Sequence, residues 1–200
     1  MTREEAGRLP QVLARIGASH DITDLACKLR FYDSWAPEYD QDVAALKYKE
    51  PCLAVECLSG APLGPPHDAL ILDVACGTGL VAVETPRAGT FDAVIIVGNL
   101  REGQVPCSAI PELLRVTKPG GLVCLTTRSN LSNLPYKEVL EATLDSLEQA
   151  GAWECLVAKP VEHWELATSE HKTGLGNCAN DGFISGIVYL YRKQERGQGH

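Results

Sequence analysis

The sequence has few of the features that mark several large functional classes. No apolar run reaches the roughly 20 residues a membrane span needs, and the start, Met1-Thr2-Arg3-Glu4-Glu5, lacks the apolar segment of a secretion signal. No basic cluster offsets the net charge of −8, so phosphate backbones and anionic lipid surfaces are repelled. Neither nucleic acid nor membrane is therefore expected as a partner. The 8 cysteines include no Cys-x-x-Cys pair, which argues against a zinc site and a disulfide frame. Cys124 and Cys155 lie in apolar runs and Cys27 in a helical stretch. Buried thiols of that kind suit a reducing compartment, so the chain is expected to be cytoplasmic or nuclear. There is no internal repeat, and no catalytic triad or metal cluster shows in the sequence.

What is present points to one α/β domain. At 200 residues, 45% hydrophobic and 22% charged, the chain can bury a real core. Residues 1–20 are expected to be loosely ordered, 21–192 to form the domain, and 193–200 to be a polar tail. The informative stretch is Leu70-Ile71-Leu72-Asp73-Val74-Ala75-Cys76-Gly77-Thr78-Gly79-Leu80-Val81-Ala82. The first six residues predict a buried parallel strand. The two glycines permit a tight turn that leaves bare peptide for a ligand, and a helix opening at Leu80 would turn free N–H groups toward it. Gly77-x-Gly79-x-x-Ala82 fits a dinucleotide fingerprint, which alone is a weak signal. Asp73 favours a cationic ligand over a pyrophosphate. A nicotinamide oxidoreductase is the less favoured reading for that reason, and a strand–turn–helix without ligand is the bland one.

Before this stretch, Asp21 or Thr23 is expected to cap a helix through Tyr32, with a new helix near Pro37. The aromatic string Phe31-Tyr32-Asp33-Ser34-Trp35-Ala36-Pro37-Glu38-Tyr39 reads as a cap seated by Trp35 and Tyr39, and such a cap can also cover a ligand. Residues 43–58 predict two helices, or one kinked at Pro51. After the glycines come a strand at 91–97 and a loop at 98–105. Next are a helix that Ser108 can cap, closed by Lys118-Pro119-Gly120-Gly121, and a strand at 122–127. A helix with Leu140, Leu144 and Leu147 on one side ends at Gly151. Strand character follows at 153–166, and an antiparallel edge strand at 183–191. Lys118 reads as a helix-end charge. His163, Trp164 and His171 fall in the C-terminal region.

The acid–x-x-x–Gly–x–Gly pattern from Asp73 to Gly79 resembles the first motif of class I S-adenosylmethionine-dependent methyltransferases. Phe91-Asp92-Ala93-Val94, Leu113-Leu114-Arg115-Val116-Thr117-Lys118-Pro119-Gly120-Gly121 and Leu122 to Thr127 are similar to that class's later motifs. Residues 1–194 as a whole resemble one methyltransferase-like family within it, of type 11. The resemblance implies a Rossmann-like methyltransferase sheet with helices on both faces. It implies S-adenosylmethionine as cofactor, held at Asp73, Ala75, Cys76, Gly77, Thr78 and Gly79 with Trp35 and Tyr39 above. The acceptor is unknown. Between Glu84 and Thr85 the family carries a few dozen further residues, including a second strand with its ribose-binding acid and a third strand. Without them the sheet is truncated, activity is expected to be impaired, and the strand at 70–75 becomes an edge through which the chain could self-associate. The alternative is a non-catalytic partial fold that acts, if at all, through protein interactions.

Overall fold

The computed structural model describes residues 3–20, 22–61, 68–76, 91–168 and 182–195. Five strands make one mixed sheet. They are β1 (Ile71–Val74), β2 (Phe91–Leu100), β3 (Thr117–Arg128), β4 (Trp153–Leu166) and β5 (Phe183–Lys193), in spatial order β1-β2-β3-β5-β4. β1–β2 and β2–β3 pair parallel, while β3–β5 and β5–β4 pair antiparallel. The C-terminal strand is thus not an edge, as the sequence suggests. It inserts between β3 and β4, and β4 takes the edge.

The core follows from the apolar runs. Ala93, Val94, Ile95 and Ile96 on β2 are all buried, so this strand is covered on both faces. On one face α4 (Ile110–Val116) and α5 (Leu134–Gln149) lay Ile110, Leu113, Leu140 and Leu144 against Val94, Ile96, Val123 and Leu125. On the other, α3 (Glu50–Ser59) packs Ala54 and Leu58 against Ile95, Cys124 and Trp164. Gly186 on β5 makes room for Trp164, because a Cβ there would run into the indole ring. β1 differs from its neighbours. It is only half-buried throughout, and among the described residues it pairs with β2 alone.

Three local expectations are corrected. Residues 3–20 form a helix, α1 (Arg3–His20), rather than a loose start. Val12 is buried there, and Arg8 and Arg15 reach Asp42 at 3.3 and 2.6 Å. Next, α2 (Leu25–Ala45) runs unbroken through Pro37. Asp24, not Asp21 or Thr23, caps it by accepting from the Cys27 N–H at 2.8 Å. Trp35 Nε1 donates to Asp42 at 2.8 Å across the proline, which ties the two halves together. The first alternative for residues 43–58, two helices, is borne out: α2 ends at Ala45 and α3 begins at Glu50, with Pro51 in its first turn, where a missing N–H costs nothing.

The third correction concerns Lys118-Pro119-Gly120-Gly121: α4 ends just before it, at Val116, and these residues already belong to β3. Phe91 pairs with Thr117 but Ala93 with Leu122, so the chain bulges between them. Gly121 is required in that bulge, since a Cβ would stand 2.7 Å from the Asp92 carbonyl oxygen. Lys118 is not matched to a helix dipole. Its Nζ pairs with Asp92 at 2.8 Å. Ser108 caps nothing; a 3-10 turn, Cys107–Ala109, leads into α4 without a side-chain cap. Among the described residues no helix is long and apolar enough to cross a membrane.

Candidate functional site

The carboxyl ends of β1, β2 and β3, together with the end of β4, open into a cavity of about 580 Å³ beneath α2. Ligands collect at this edge in open α/β sheets, because the strands stop there and the connecting segments diverge. β1 contributes Asp73, then Ala75 and Cys76 just beyond it, while β2 contributes Val97, Gly98, Asn99 and, past its end, Arg101. Arg128 from β3 and Glu165 and Thr168 from the end of β4 form a second wall. Tyr32, Trp35, Tyr39 and Val43 from α2 make the roof.

Five of the eight sequence-proposed site residues therefore line one cavity: Asp73, Ala75, Cys76, Trp35 and Tyr39. Gly77, Thr78 and Gly79 lie outside the described residues, as does His171. His163 stacks edge-on against Phe183, and Trp164 is in the core.

The floor of the cavity is strained and under-satisfied. Ala75 has φ 60°, in the left-handed region that disfavours a Cβ. Asn99 holds this turn, its Nδ2 donating to the Ala75 carbonyl at 3.2 Å and to the Val97 carbonyl at 3.0 Å. Asp73 Oδ2 is buried with no hydrogen-bond partner among the described residues. Burial pushes the Asp73 carboxyl up to about 6, since its charge has lost water and gained nothing in return.

The roof is aromatic. Trp35 stacks on Tyr32 at 5.9 Å and meets Tyr39 edge-on at 4.9 Å. Both are one helical turn from Trp35, which lets a single helix present three rings to one cavity. Burial, and then the neighbouring Tyr32, raises the Tyr39 phenol to about 12, so it is neutral at physiological pH. Trp35 is 5% exposed. It is at once a packing anchor and part of the cavity wall, which merges the two roles the sequence offers for it.

Behind the wall sits a carboxylate that sequence reasoning missed. Glu50, fully buried at the start of α3, accepts hydrogen bonds from Trp164 Nε1 and from Thr126 Oγ1, the latter at 3.0 Å. Thr126 Oγ1 in turn accepts from the Gly98 N–H at 2.9 Å. The Glu50 carboxyl is pushed up, first by burial and then by the nearby Glu165 charge. Gly98 is held at φ 75°, and a Cβ there would collide with the Tyr48 hydroxyl. This network ties α3, β2, β3 and β4 together under the cavity. Arg101, Arg128 and Glu165 were also missed. The available signal was position, for each lies at or just past a strand end on the ligand edge.

Comparison with known proteins adds the following. No family model matches the chain. It is 57% identical over 210 residues to methyltransferase-like protein 27 of Homo sapiens, covering 84% of this chain and 85% of that protein. It is 34% identical over 115 residues to a demethylmenaquinone methyltransferase of Streptomyces avermitilis, covering 52% of this chain and 50% of that protein. Among solved structures, a SAM-dependent methyltransferase of Thermotoga maritima gives a TM-score of 0.49 at 15% identity, over 82% of this chain and 98% of that one. A precorrin-6y C5,15-methyltransferase of Geobacter metallireducens gives 0.40 at 13% identity, over 72% and 87%.

Proposed function

We propose, from the premise that the chain belongs to the family of methyltransferase-like protein 27, that its cavity binds S-adenosylmethionine and serves methyl transfer. The observation that carries this reading is the partnerless, buried Asp73 Oδ2 at the cavity floor. A buried acceptor without a donor is costly unless a ligand supplies one, and the cofactor brings a cationic ammonium. Asp73 would hold that group, Ala75 and Cys76 would lie against the ligand, and Trp35 and Tyr39 would close over it. When bound, the cofactor supplies a methyl group on a positively charged sulfur. The protein's own part is to align an acceptor with that methyl and to exclude water, and positioning of this kind can supply much of a rate enhancement. A reducing compartment, cytosol or nucleus, fits a chain whose Cys124 thiol is buried and free.

We also infer that binding is weakened. The 210 aligned positions shared with the human relative exceed the 84% of 200 residues that this chain contributes, so dozens of those positions have no counterpart here. That supports the omission of a segment after Glu84. Its loss would remove the acid that holds the ribose hydroxyls, and one charged hydrogen bond is worth roughly 1.5–3 kcal/mol, or about tenfold to a hundredfold in affinity. Calorimetric titration with S-adenosylmethionine, run beside a chain with the segment restored, tests both parts. The restored chain should bind tightly and this chain more weakly by that factor. No binding by either would refute the cofactor reading.

A second reading rests on the half-buried β1, which pairs only with β2 among the described residues. In it the chain is a non-catalytic partial fold, and the β1 edge mediates association with a second copy. Sedimentation of the purified chain as a concentration-dependent dimer, with no cofactor binding, would favour it over the first.

A further inference from the structure

The cavity wall built from β3, β4 and the end of β2 has a chemistry opposite to that of Asp73. Arg128 Nη2 forms an ion pair with Glu165 Oε1 at 2.6 Å, and the two side chains are only 14% and 4% exposed. Among the described residues, Arg128 Nε, Thr168 Oγ1 and Glu165 Oε1 itself are buried without a hydrogen-bond partner. Arg101 lines the same cavity, and its guanidinium makes no hydrogen bond or ion pair among the described residues. Burial, and then repulsion from Arg128, lowers its affinity for its proton from the ordinary arginine value. Glu165 and Glu50 act on both guanidinium groups at longer range, but among the described residues only Arg128 is paired, which leaves the Arg101 guanidinium and two orphaned donors at the cavity.

We propose that this wall is the acceptor subsite and that the methyl acceptor is a small molecule carrying a single carboxylate, received by Arg101, Arg128 Nε and Thr168. The proposal rests on the methyltransferase reading above and names its substrate class. One unpaired guanidinium and two orphaned donors can all be used by a single carboxylate. A phosphate dianion would bring a second negative charge against Asp33, Asp73 and Glu165 on the same cavity. Guanidinium groups suit a planar carboxylate, which can accept two parallel bonds. The site lies inside a cavity on a chain of net charge −8, which favours a small anion over a polyanionic surface.

The competing occupant is the carboxylate of the cofactor itself, and the test separates the two. The full chain, saturated with S-adenosylhomocysteine, is titrated with benzoate and with its neutral counterpart benzamide, followed by NMR line broadening of the probe. Benzoate should bind and benzamide should not. Arg101→Gln should weaken benzoate by about tenfold, with S-adenosylhomocysteine affinity unchanged and Arg101→Lys restoring most of the loss. Thr168→Val should weaken benzoate in the same direction. Equal binding of the two probes, or benzoate binding indifferent to Arg101→Gln, overturns the proposal. It is also overturned if Arg101→Gln weakens S-adenosylhomocysteine but leaves 5′-methylthioadenosine, which lacks the amino-acid tail, unaffected. The benzoate titration is repeated without any cofactor. Arginine-dependent benzoate binding there supports the subsite even where cofactor binding fails, so failure of one reading is distinguishable from failure of the other.

Discussion

Asp73 and Asp92 sit on neighbouring parallel strands at opposite ends of the sheet, and their surroundings push them in opposite directions. Asp92, near the start of β2, accepts from Lys118 Nζ at 2.8 Å and from the Leu70 N–H at 2.9 Å, and these bonds, the lysine's first, hold its carboxyl below the usual range. Asp73, near the end of β1, is enclosed with an oxygen that nothing satisfies, and burial raises its carboxyl to about 6. The same side chain is structural where the fold completes its hydrogen bonds, and on the proposed function it is a ligand contact where the fold leaves them open. The contrast extends to the rest of each edge. Asp92, Lys118 and Gly121 fasten β2 to β3, whereas at the other end Asp73, Arg128 and Thr168 each keep a buried polar atom without a partner among the described residues, and all three face one cavity.

Glu50 bounds this contrast, because it is a buried carboxylate on the ligand side that the fold does satisfy. If satisfaction rather than location decides the role, removing Glu50 should damage stability first. Glu50→Ala orphans Trp164 Nε1 and the Thr126 hydroxyl at once, and the expected loss is about 3 kcal/mol, read from urea denaturation. Glu50→Gln, which keeps an acceptor in place, should lose less. Asp73→Asn should do the reverse. Cofactor affinity, measured by calorimetry with S-adenosylhomocysteine, should fall about tenfold to a hundredfold. The free protein should not be destabilised, since a buried, unpaired charge has been removed. A drop in the melting temperature of the free Asp73→Asn variant would show that Asp73 has a structural partner after all.

The sheet was legible in the sequence to the degree that local pattern determines it. The β2 run from Ala93 to Val97 and the β4 span are read correctly because apolar continuity and turn residues agree. The errors fall where distant contacts override local rules. Pro37 looks like a helix start, but the Trp35–Asp42 bond carries α2 past it. Lys118 to Gly121 looks like a helix stop, but Asp92 on another strand recruits the lysine. The place of β5 between β3 and β4 is set by pairing between segments far apart in the chain, which periodicity cannot register. Of the residues lining the cavity, Asp73, Ala75, Cys76, Trp35 and Tyr39 belong to a compact motif and an aromatic string. Arg101, Arg128, Glu165 and Glu50 belong to no motif. They converge only once four strands and a helix are assembled.

The two aspartates should also separate by pH. The folded-state value of Asp73 lies above its ordinary 3.8, so between about 4 and 6 the folded chain holds a proton that the unfolded chain has lost. That contribution makes stability fall as pH rises through the window. Subtracting the Asp73→Asn variant from the parent, both measured by thermal melting of the free protein at successive pH values, isolates this slope from that of Glu50. Asp92 works the other way. Its folded-state value is depressed, so its stabilisation is present above 3.8 and is lost only as pH falls below that.

The smallest effect is therefore expected from Asp92→Asn at neutral pH. Lys118 is partly exposed, with 38% of its side chain accessible against 29% for Asp92, and ion pairs so close to water are worth about 0.5 kcal/mol. The asparagine oxygen can still accept from the Leu70 N–H, so the start of β1 stays anchored. Stability in urea should shift by about that amount, and cofactor affinity should not move, because the residue is at the far end of the sheet from the cavity. A loss of affinity comparable to that of Asp73→Asn would mean that the register of the short β1 strand, set at Leu70, is what positions Asp73. The two ends of the sheet would then be one mechanical unit rather than a fastened edge and an open one.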